Sequence, residues 1–390
     1  MNFADHFPPT ADMYLDSAAT TRMPCEVIES MSQFAREEYG PVHRAVYDRA
    51  VGATQKYEEA RKQIAQWFRL PPGQFILTHG ATDALNSVIQ SLAEQLQPGD
   101  QVLLSPLEHH SMIVPWQRVS LSRGVEIVWP PLGKDGSVDW WSEALWQGQV
   151  RVVCCSHLSH ITGDQVNLNR LQSLVTERGA LLLVDASQSV AHQFFDGSSV
   201  DLFVCSAHKM YGPTGVGGLG GKRSVLESLQ PPKGGGGAVK FVSQQTTDWE
   251  ELPLRWEAGT PPVLQVIGWG AAVRWLSRIE WSSIQTHERR LGERLHEGIL
   301  AMPHVRKLGV QKGPICSFSV EHMHALDVAL LCNAHKISVR SGHLCCIPGL
   351  QALGQDHLVR ASAGIYTNMD EIETLLDCLH RWRESCLDIG

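Results

Sequence analysis

Between about residues 70 and 225, short apolar runs alternate with stretches of helical spacing. Phe75-Ile76-Leu77-Thr78 has the length and composition of a strand. Residues 84–96 follow, with Leu85, Val88, Ile89, Leu92 and Leu96 at the three- and four-residue intervals of one helix face. Residues 101–105, 125–129, 150–155, 180–184 and 201–205 read as five more strands. The run 180–184 is Ala-Leu-Leu-Leu-Val, apolar at every position, as expected of a strand covered on both faces in a parallel sheet. The alternation predicts a layered α/β domain, and such sheets gather ligands at the carboxyl ends of their strands.

After Gly259-Thr260-Pro261-Pro262 the texture changes. Residues 263–300 read as long helix, 305–310 and 315–320 as strands, then a helix from Leu326, a short strand over 337–340 and a last helix from Met369. This divides the chain into a large, mostly parallel-sheet α/β domain over residues 15–262 and a smaller α+β domain made of 1–14 with 263–390. Pro231-Pro232-Lys233-Gly234-Gly235-Gly236-Gly237 is too short for a domain linker. It is expected to be a loop that either moves or lets one backbone come close to another.

Composition narrows the class. Of 390 residues, 43% are hydrophobic and 19% charged, ordinary for a globular chain. The net charge of -8, from 33 basic and 41 acidic residues, gives no electrostatic reason to expect nucleic acid or an acidic membrane as partner. No apolar run reaches the roughly 18–20 residues that a bilayer span needs, and residues 1–9 lack the pattern of a secretory signal. The ten cysteines are scattered through apolar segments, so they read as reduced thiols of a cytoplasmic protein.

Four places carry candidate chemistry. Lys209 lies four residues past a buried strand and runs into Met210-Tyr211-Gly212-Pro213-Thr214-Gly215. It is either a surface loop lysine or, with its pKa lowered by burial, an amine able to condense with an aldehyde. Asp185 directly follows the most apolar strand; it is a helix cap or a carboxylate facing a buried cation such as a protonated pyridine nitrogen. Thr78-His79-Gly80-Ala81-Thr82 connects a strand to a helix start, where backbone N–H groups and a hydroxyl make an anion cradle. His109 and His110 follow the strand at 101–105; no His/Cys spacing around them supplies a zinc set, and an imidazole stacked on a planar ring is the reading that fits the rest.

Taken in order, these residues resemble the class V group of fold-type I enzymes that use pyridoxal 5'-phosphate (PLP). The chain is most similar to the cysteine desulfurases of the Suf/Csd type, the group II NifS-like enzymes. The resemblance runs through Tyr14-Leu15-Asp16-Ser17-Ala18-Ala19-Thr20, Val42-His43-Arg44, Gly80-Ala81-Thr82, Glu108-His109-His110, Asp185 with Gln188, Ser206-Ala207-His208-Lys209, Glu257-Ala258-Gly259-Thr260-Pro261, Arg340-Ser341-Gly342 and Val359-Arg360-Ala361-Ser362. It implies the PLP-dependent transferase fold. It implies that Lys209 holds PLP, that Asp185 pairs with the ring nitrogen, Gln188 and His160 with the phenolic oxygen, and that His109 stacks on the ring. Ala81, Thr82, Ser206 and His208 would surround the phosphate, and Thr260 would reach the phosphate of a neighbouring subunit in a homodimer. Arg360 would clamp the substrate carboxylate, with Ala18, His43 and Arg340 beside the substrate. Cys345 occupies the place of the thiol that takes sulfur from L-cysteine, leaving L-alanine, with L-selenocysteine as a second substrate. A small acceptor protein of the SufE/CsdE kind would receive the sulfur. The alternative from the same residues is another class V PLP enzyme, an epimerase, lyase or aminotransferase acting on an amino acid.

Three positions depart from the family pattern. His160 stands where an asparagine is usual, Leu344 where a histidine precedes the nucleophile, and Ala81 where the phosphate loop often has a second hydroxyl. The doublet Cys345-Cys346 raises a further question, whether Cys346 receives sulfur or replaces a neutral residue.

Overall fold

The protein is described by a computed structural model covering residues 3–309 and 313–387. Seven strands form one sheet in the order Phe75–Thr78, Gly217–Gly221, Leu202–Ser206, Leu181–Asp185, Val150–Ser156, Gln101–Leu104, Glu126–Val128. All run the same way except Gly217–Gly221, which is antiparallel to both neighbours. Alternate residues of the strands feed two separate cores. Leu77, Leu103, Val153, Leu182, Val184 and Phe203 join a cluster with the helices Cys25–Glu37, Asp48–Trp67 and Val263–Leu276. Ile76, Val102, Leu104, Val152, Leu183, Leu202 and Val204 join the other, with Ala81–Ala93 and His110–Arg123. With both faces dry, a polar residue in these runs has no water to point to, and each buried Leu, Val, Ile or Phe side chain contributes about 1.5–3 kcal/mol.

Gly217–Gly221 was not expected as a strand, because Gly-Gly-Leu-Gly-Gly carries almost no hydrophobic signal. Packing explains its composition. A Cβ on Gly217 would stand 2.5 Å from the Cys205 carbonyl oxygen and 2.6 Å from the Gly80 Cα. On Gly218 it would meet the Phe75 ring at 2.2 Å, and on Gly220 the Phe203 ring at 2.3 Å. The rings and backbones of its neighbours occupy the space its side chains would need, and Gly80 is thereby drawn against the strand end.

The smaller unit has an antiparallel four-stranded sheet in the order Val305–Leu308, Ile315–Val320, Leu358–Ser362, Arg340–Gly342. The strand expected over 305–310 ends at Leu308, and residue 310 lies outside the described residues. The run 337–340 splits in two: Ile337–Ser338 pairs in parallel with Met13–Tyr14, while Arg340–Gly342 pairs with Leu358–Ser362. The hairpin Val239–Val242 with Thr247–Trp249 was also not expected. The long helix of 263–300 is likewise two helices, Val263–Leu276 and Trp281–Leu300.

The boundary at residue 262 does not match the cores. Val263–Leu276 packs against Cys25–Glu37 and Asp48–Trp67, where Gly270 lets its backbone come close to Ala60. Its Val266, Trp269 and Trp275 belong to the large core, as do Phe3 and Phe7 of the N-terminal segment. Leu15, by contrast, lies in the small core. The glycine-rich loop at 234–237 is a close approach of backbones: the Gly259 N–H donates to the Gly236 carbonyl at 2.8 Å.

Gly217→Ala is expected to lower unfolding free energy by about 1–3 kcal/mol through overpacking. Gly52→Ala, in a helix with nothing within 4 Å of the added methyl, is expected to raise it by about 0.5–1 kcal/mol. Denaturant titration of the two variants checks the contrast.

Candidate active site

Leu181–Asp185 and Leu202–Ser206 end side by side, and the turn after the second carries Ala207, His208 and Lys209. That turn is tied to the N-terminal segment: the His208 carbonyl accepts from the Thr21 N–H at 2.8 Å and from the Thr20 and Thr21 hydroxyls at 3.1 and 3.0 Å. Beside it the helix Ala81–Ala93 starts after Gly80, whose φ of 134° is open to glycine. Ser206 Oγ accepts from the Ala81 N–H at 2.8 Å, so strand end and helix start meet directly. Orphan N–H groups of a helix's first turn favour an anion there.

These ends form one wall of a pocket of about 420 Å³; the small unit closes the other with Arg340, Leu344, Cys345 and Arg360. Ala18, Ala81, Thr82, His109, His160, Asp185, Gln188, Ser206, His208 and Lys209 line it as well. Burial lowers the pKa of Lys209, and Arg360 and Arg340 add to the effect while Asp185 and Cys345 oppose it. Burial, with Lys209 next, brings His109 down to about 4, so its ring is neutral at pH 7. Its Nδ1 faces Ser111 Oγ at 2.8 Å, and the ring caps the helix that begins at His110. Asp185 accepts from the Ser187 N–H at 2.8 Å.

Arg360 is the most deeply placed cation of the pocket, 4% exposed. Its Nη1 donates to the His160 carbonyl at 3.1 Å and its Nη2 to Asp16 at 3.3 Å. Its Nε is buried and makes no hydrogen bond. Arg340, half exposed, donates to the other Asp16 oxygen at 3.0 and 2.8 Å. Asp16 therefore orients both guanidinium groups. The signal for Asp16 in the sequence is slight, a carboxylate directly after Tyr14-Leu15. Glu108 carries no role in the sequence pattern. It is fully enclosed, takes the Ser156 N–H and hydroxyl at 2.8 and 2.5 Å, and is pushed up to about 8, first by burial.

His43 and Thr260 are not in this pocket. They line a second one with Gly236 and Gly237, where His43 Nε2 lies 2.7 Å from Glu58 and its backbone N–H is held by Thr54. Within one chain His43 is thus not beside Arg360, because it is tied to the helix Asp48–Trp67. Gln188 Nε2, expected at a cofactor oxygen, donates to the Ala18 carbonyl at 2.7 Å. His160 Nε2, expected at the same oxygen, faces the Leu344 carbonyl at 3.0 Å.

Of the described cysteines only Cys25 and Cys345 are not buried. Cys346 points its thiol at the Pro106 carbonyl, and burial pushes its pKa up to about 12. One nitrogen each of His110 and His343 and the Cys345 sulfur come within 4.8 Å of one another. Both rings already accept a backbone N–H, from Ile347 at 3.1 Å and from Cys345 at 3.0 Å, so their lone pairs are committed.

Residues 13–375 match the family model described as Aminotransferase class-V. The chain belongs to the class V aminotransferase family. Within that family it is 36% identical over 375 residues to a probable cysteine desulfurase of Pseudomonas putida, covering 95% of this chain and 94% of the relative. It is 34% identical to a cysteine desulfurase of Pectobacterium carotovorum, covering 94% and 92%. Among solved structures it superposes on the cysteine desulfurase CsdA of Escherichia coli with a TM-score of 0.92, at 32% identity and 98% coverage of both chains. The cysteine desulfurase of Thermococcus onnurineus matches with the same TM-score at 31% identity, covering 96% of this chain and 95% of that one. The class V fold thus accounts for the paired units and for the pocket between them.

Asp16→Ala leaves the buried Arg360 charge without its carboxylate and is expected to cost about 3–5 kcal/mol of stability. Arg340→Ala, at a half-exposed partner of the same carboxylate, is expected to cost about 1 kcal/mol or less. Chemical denaturation of both variants gives the ordering.

Proposed function

We propose that this chain is a cysteine desulfurase that uses PLP held by Lys209 and takes sulfur from L-cysteine onto Cys345. The observation that carries the reading is one pocket holding a lysine of lowered pKa, a buried arginine with an unpaired Nε, and a cysteine that is not buried. The pocket fits PLP: a helix start with Thr82, Ser206 and His208 for a phosphate, the Asp185 carboxylate for a ring nitrogen, and an imidazole at His109 for the ring face. Bound there, PLP supplies an aldehyde for the substrate amine and an electron sink for the carbon it activates.

The protein's part is positioning and proton transfer. Arg360 takes the substrate carboxylate with donors that Asp16 and the His160 carbonyl hold in place, and Arg340 adds charge from the rim. Lys209 is placed in the pocket to take the proton from Cα and to return protons at Cβ and at Cα, and burial, by lowering its pKa, favours the free amine that this transfer needs. Asp185 would pair with the ring nitrogen of the bound group and favour its protonated form. The Cys345 thiolate attacks the sulfur of L-cysteine, the Cβ–S bond breaks with its electron pair left on carbon, and alanine is complete when Cβ has gained a proton, matching the one lost by the Cys345 thiol, and Cα has regained its own. Overall, one enzyme thiol and L-cysteine give one enzyme persulfide and L-alanine, the two sulfurs together giving up the pair of electrons that reduces Cβ. L-Selenocysteine is the alternative substrate of the same pocket.

Cys346 takes no sulfur in this reading, because its thiol is buried and neutral. Cys345, on the rim, is open to a small acceptor protein of the SufE/CsdE type. The second pocket, with His43 and Thr260, lies apart from Lys209 in its own chain and is the part that a homodimer would lend to the neighbouring site.

Cys345→Ser is expected to abolish alanine formation from L-cysteine, while Cys346→Ala keeps it within about threefold, since a buried neutral thiol is a small hydrophobe. Amino-acid analysis of the products checks both. Lys209→Ala and Thr260→Val are each expected to be impaired alone. Mixed in equal amounts and re-assembled, they are expected to regain about a quarter of normal turnover, because about half of the dimers are then mixed and each of those has one intact site of two. No recovery on mixing refutes the shared site.

A further inference from the structure

Two of the departures from the family pattern meet in space. His160 Nε2 lies 3.0 Å from the Leu344 carbonyl, one residue before Cys345. A carbonyl only accepts, so Nε2 carries the proton. Burial, with His109 and Arg360 next, holds the His160 pKa well below its usual value, so the ring is neutral and this tautomer persists. The Leu344 side chain is itself 8% exposed, packed with Leu107, Ile161 and Leu358. The loop is anchored by a buried side chain and by a buried donor on the same residue.

The loop needs anchoring. Leu344 and Cys345 have φ of 51° and 56°, a left-handed conformation that residues other than glycine rarely adopt and that persists only where the surroundings impose it. The His110 N–H holds the Cys345 carbonyl at 2.9 Å from the other side. His160 also accepts from Arg360 through its own carbonyl, and its ring lies 5.4 Å from that of His109, edge to face. One residue therefore touches the carboxylate clamp, the ring-stacking imidazole and the nucleophile loop.

We propose that His160 is a positioning residue that sets the attack geometry of Cys345 by donating from Nε2 to the Leu344 carbonyl. The inference rests on Cys345 being the nucleophile. It differs from a role at a cofactor oxygen, where a shorter amide at residue 160 serves as well.

Side-chain length provides the test. A glutamine amide nitrogen reaches the place of Nε2, whereas an asparagine amide nitrogen stops at the place of Nδ1. His160→Ala, His160→Asn and His160→Gln are compared as PLP-loaded proteins. Three quantities are measured: single-turnover alanine release, the L-cysteine concentration that half-saturates the spectral change on binding, and iodoacetamide alkylation of Cys345 followed by peptide mass spectrometry. Misplacing the attacking sulfur is expected to slow alanine release by about 100-fold in the Ala and Asn variants, with half-saturation changed by less than about threefold. Alkylation of Cys345 is expected to speed up in both as the loop is released, and the Gln variant to recover alanine release to within about tenfold of the parent. The proposal is overturned if Asn matches the parent, or if Gln is as slow as Ala. It is equally overturned if alkylation is unchanged in all three. Cys345→Ser, measured alongside, tests the underlying reading separately: alanine release by that variant would sink the nucleophile assignment whatever His160 does.

Discussion

Burying the guanidinium of Arg360 is the constraint around which the two units are arranged. A cation taken out of water costs several kcal/mol unless charge and hydrogen bonds replace its hydration. Here the replacements come from separate stretches of chain: Asp16 from the N-terminal segment, the His160 carbonyl from the loop after a large-sheet strand, and the small-sheet strand Leu358–Ser362 that carries the arginine itself. The contact is satisfied only when the N-terminal segment crosses to the small sheet, which it does through Met13–Tyr14 pairing with Ile337–Ser338 and Asp16 bridging Ser362. Of the three guanidinium nitrogens only Nε makes no hydrogen bond, and Arg360 lines the pocket.

The same arrangement sets the chemistry at either end of the pocket. On the large-sheet side the parallel strands deliver Asp185 and Lys209 next to each other, and the glycine strand lets the helix at Ala81 approach Ser206. On the small-unit side Arg340–Gly342 runs into a turn where Leu344 and Cys345 are held left-handed by His160, His110 and apolar packing. On the proposed reading, activating a substrate carbon and removing its sulfur fall to different units, since Lys209 comes from the large-sheet side and Cys345 from the small unit while both line one pocket.

Much of the large sheet was legible along the chain because a buried parallel strand has to be apolar without interruption, as in Leu181–Asp185 and Leu202–Ser206. The strand Gly217–Gly221 was not, since its composition answers to the rings of Phe75 and Phe203 and not to any period of its own. The helix Val263–Leu276 was read as part of the small unit because a change of texture marks where one pattern stops. It does not mark which core the next pattern joins.

Chemistry divides in the same way. Lys209 and Asp185 stood out by residue type and by their place after buried strands, Arg360 and Cys345 by the resemblance, and folding brings all four to one pocket. What Asp16 and His160 do was decided only by folding. Their partners, Arg340 with Arg360 in one case and the Leu344 carbonyl in the other, lie 324 and 344 positions away for Asp16 and 184 for His160. A hydrogen bond between such distant segments leaves no spacing in the sequence. It exists because closing the chain into two packed units brings donors and acceptors of separate segments within reach of one another.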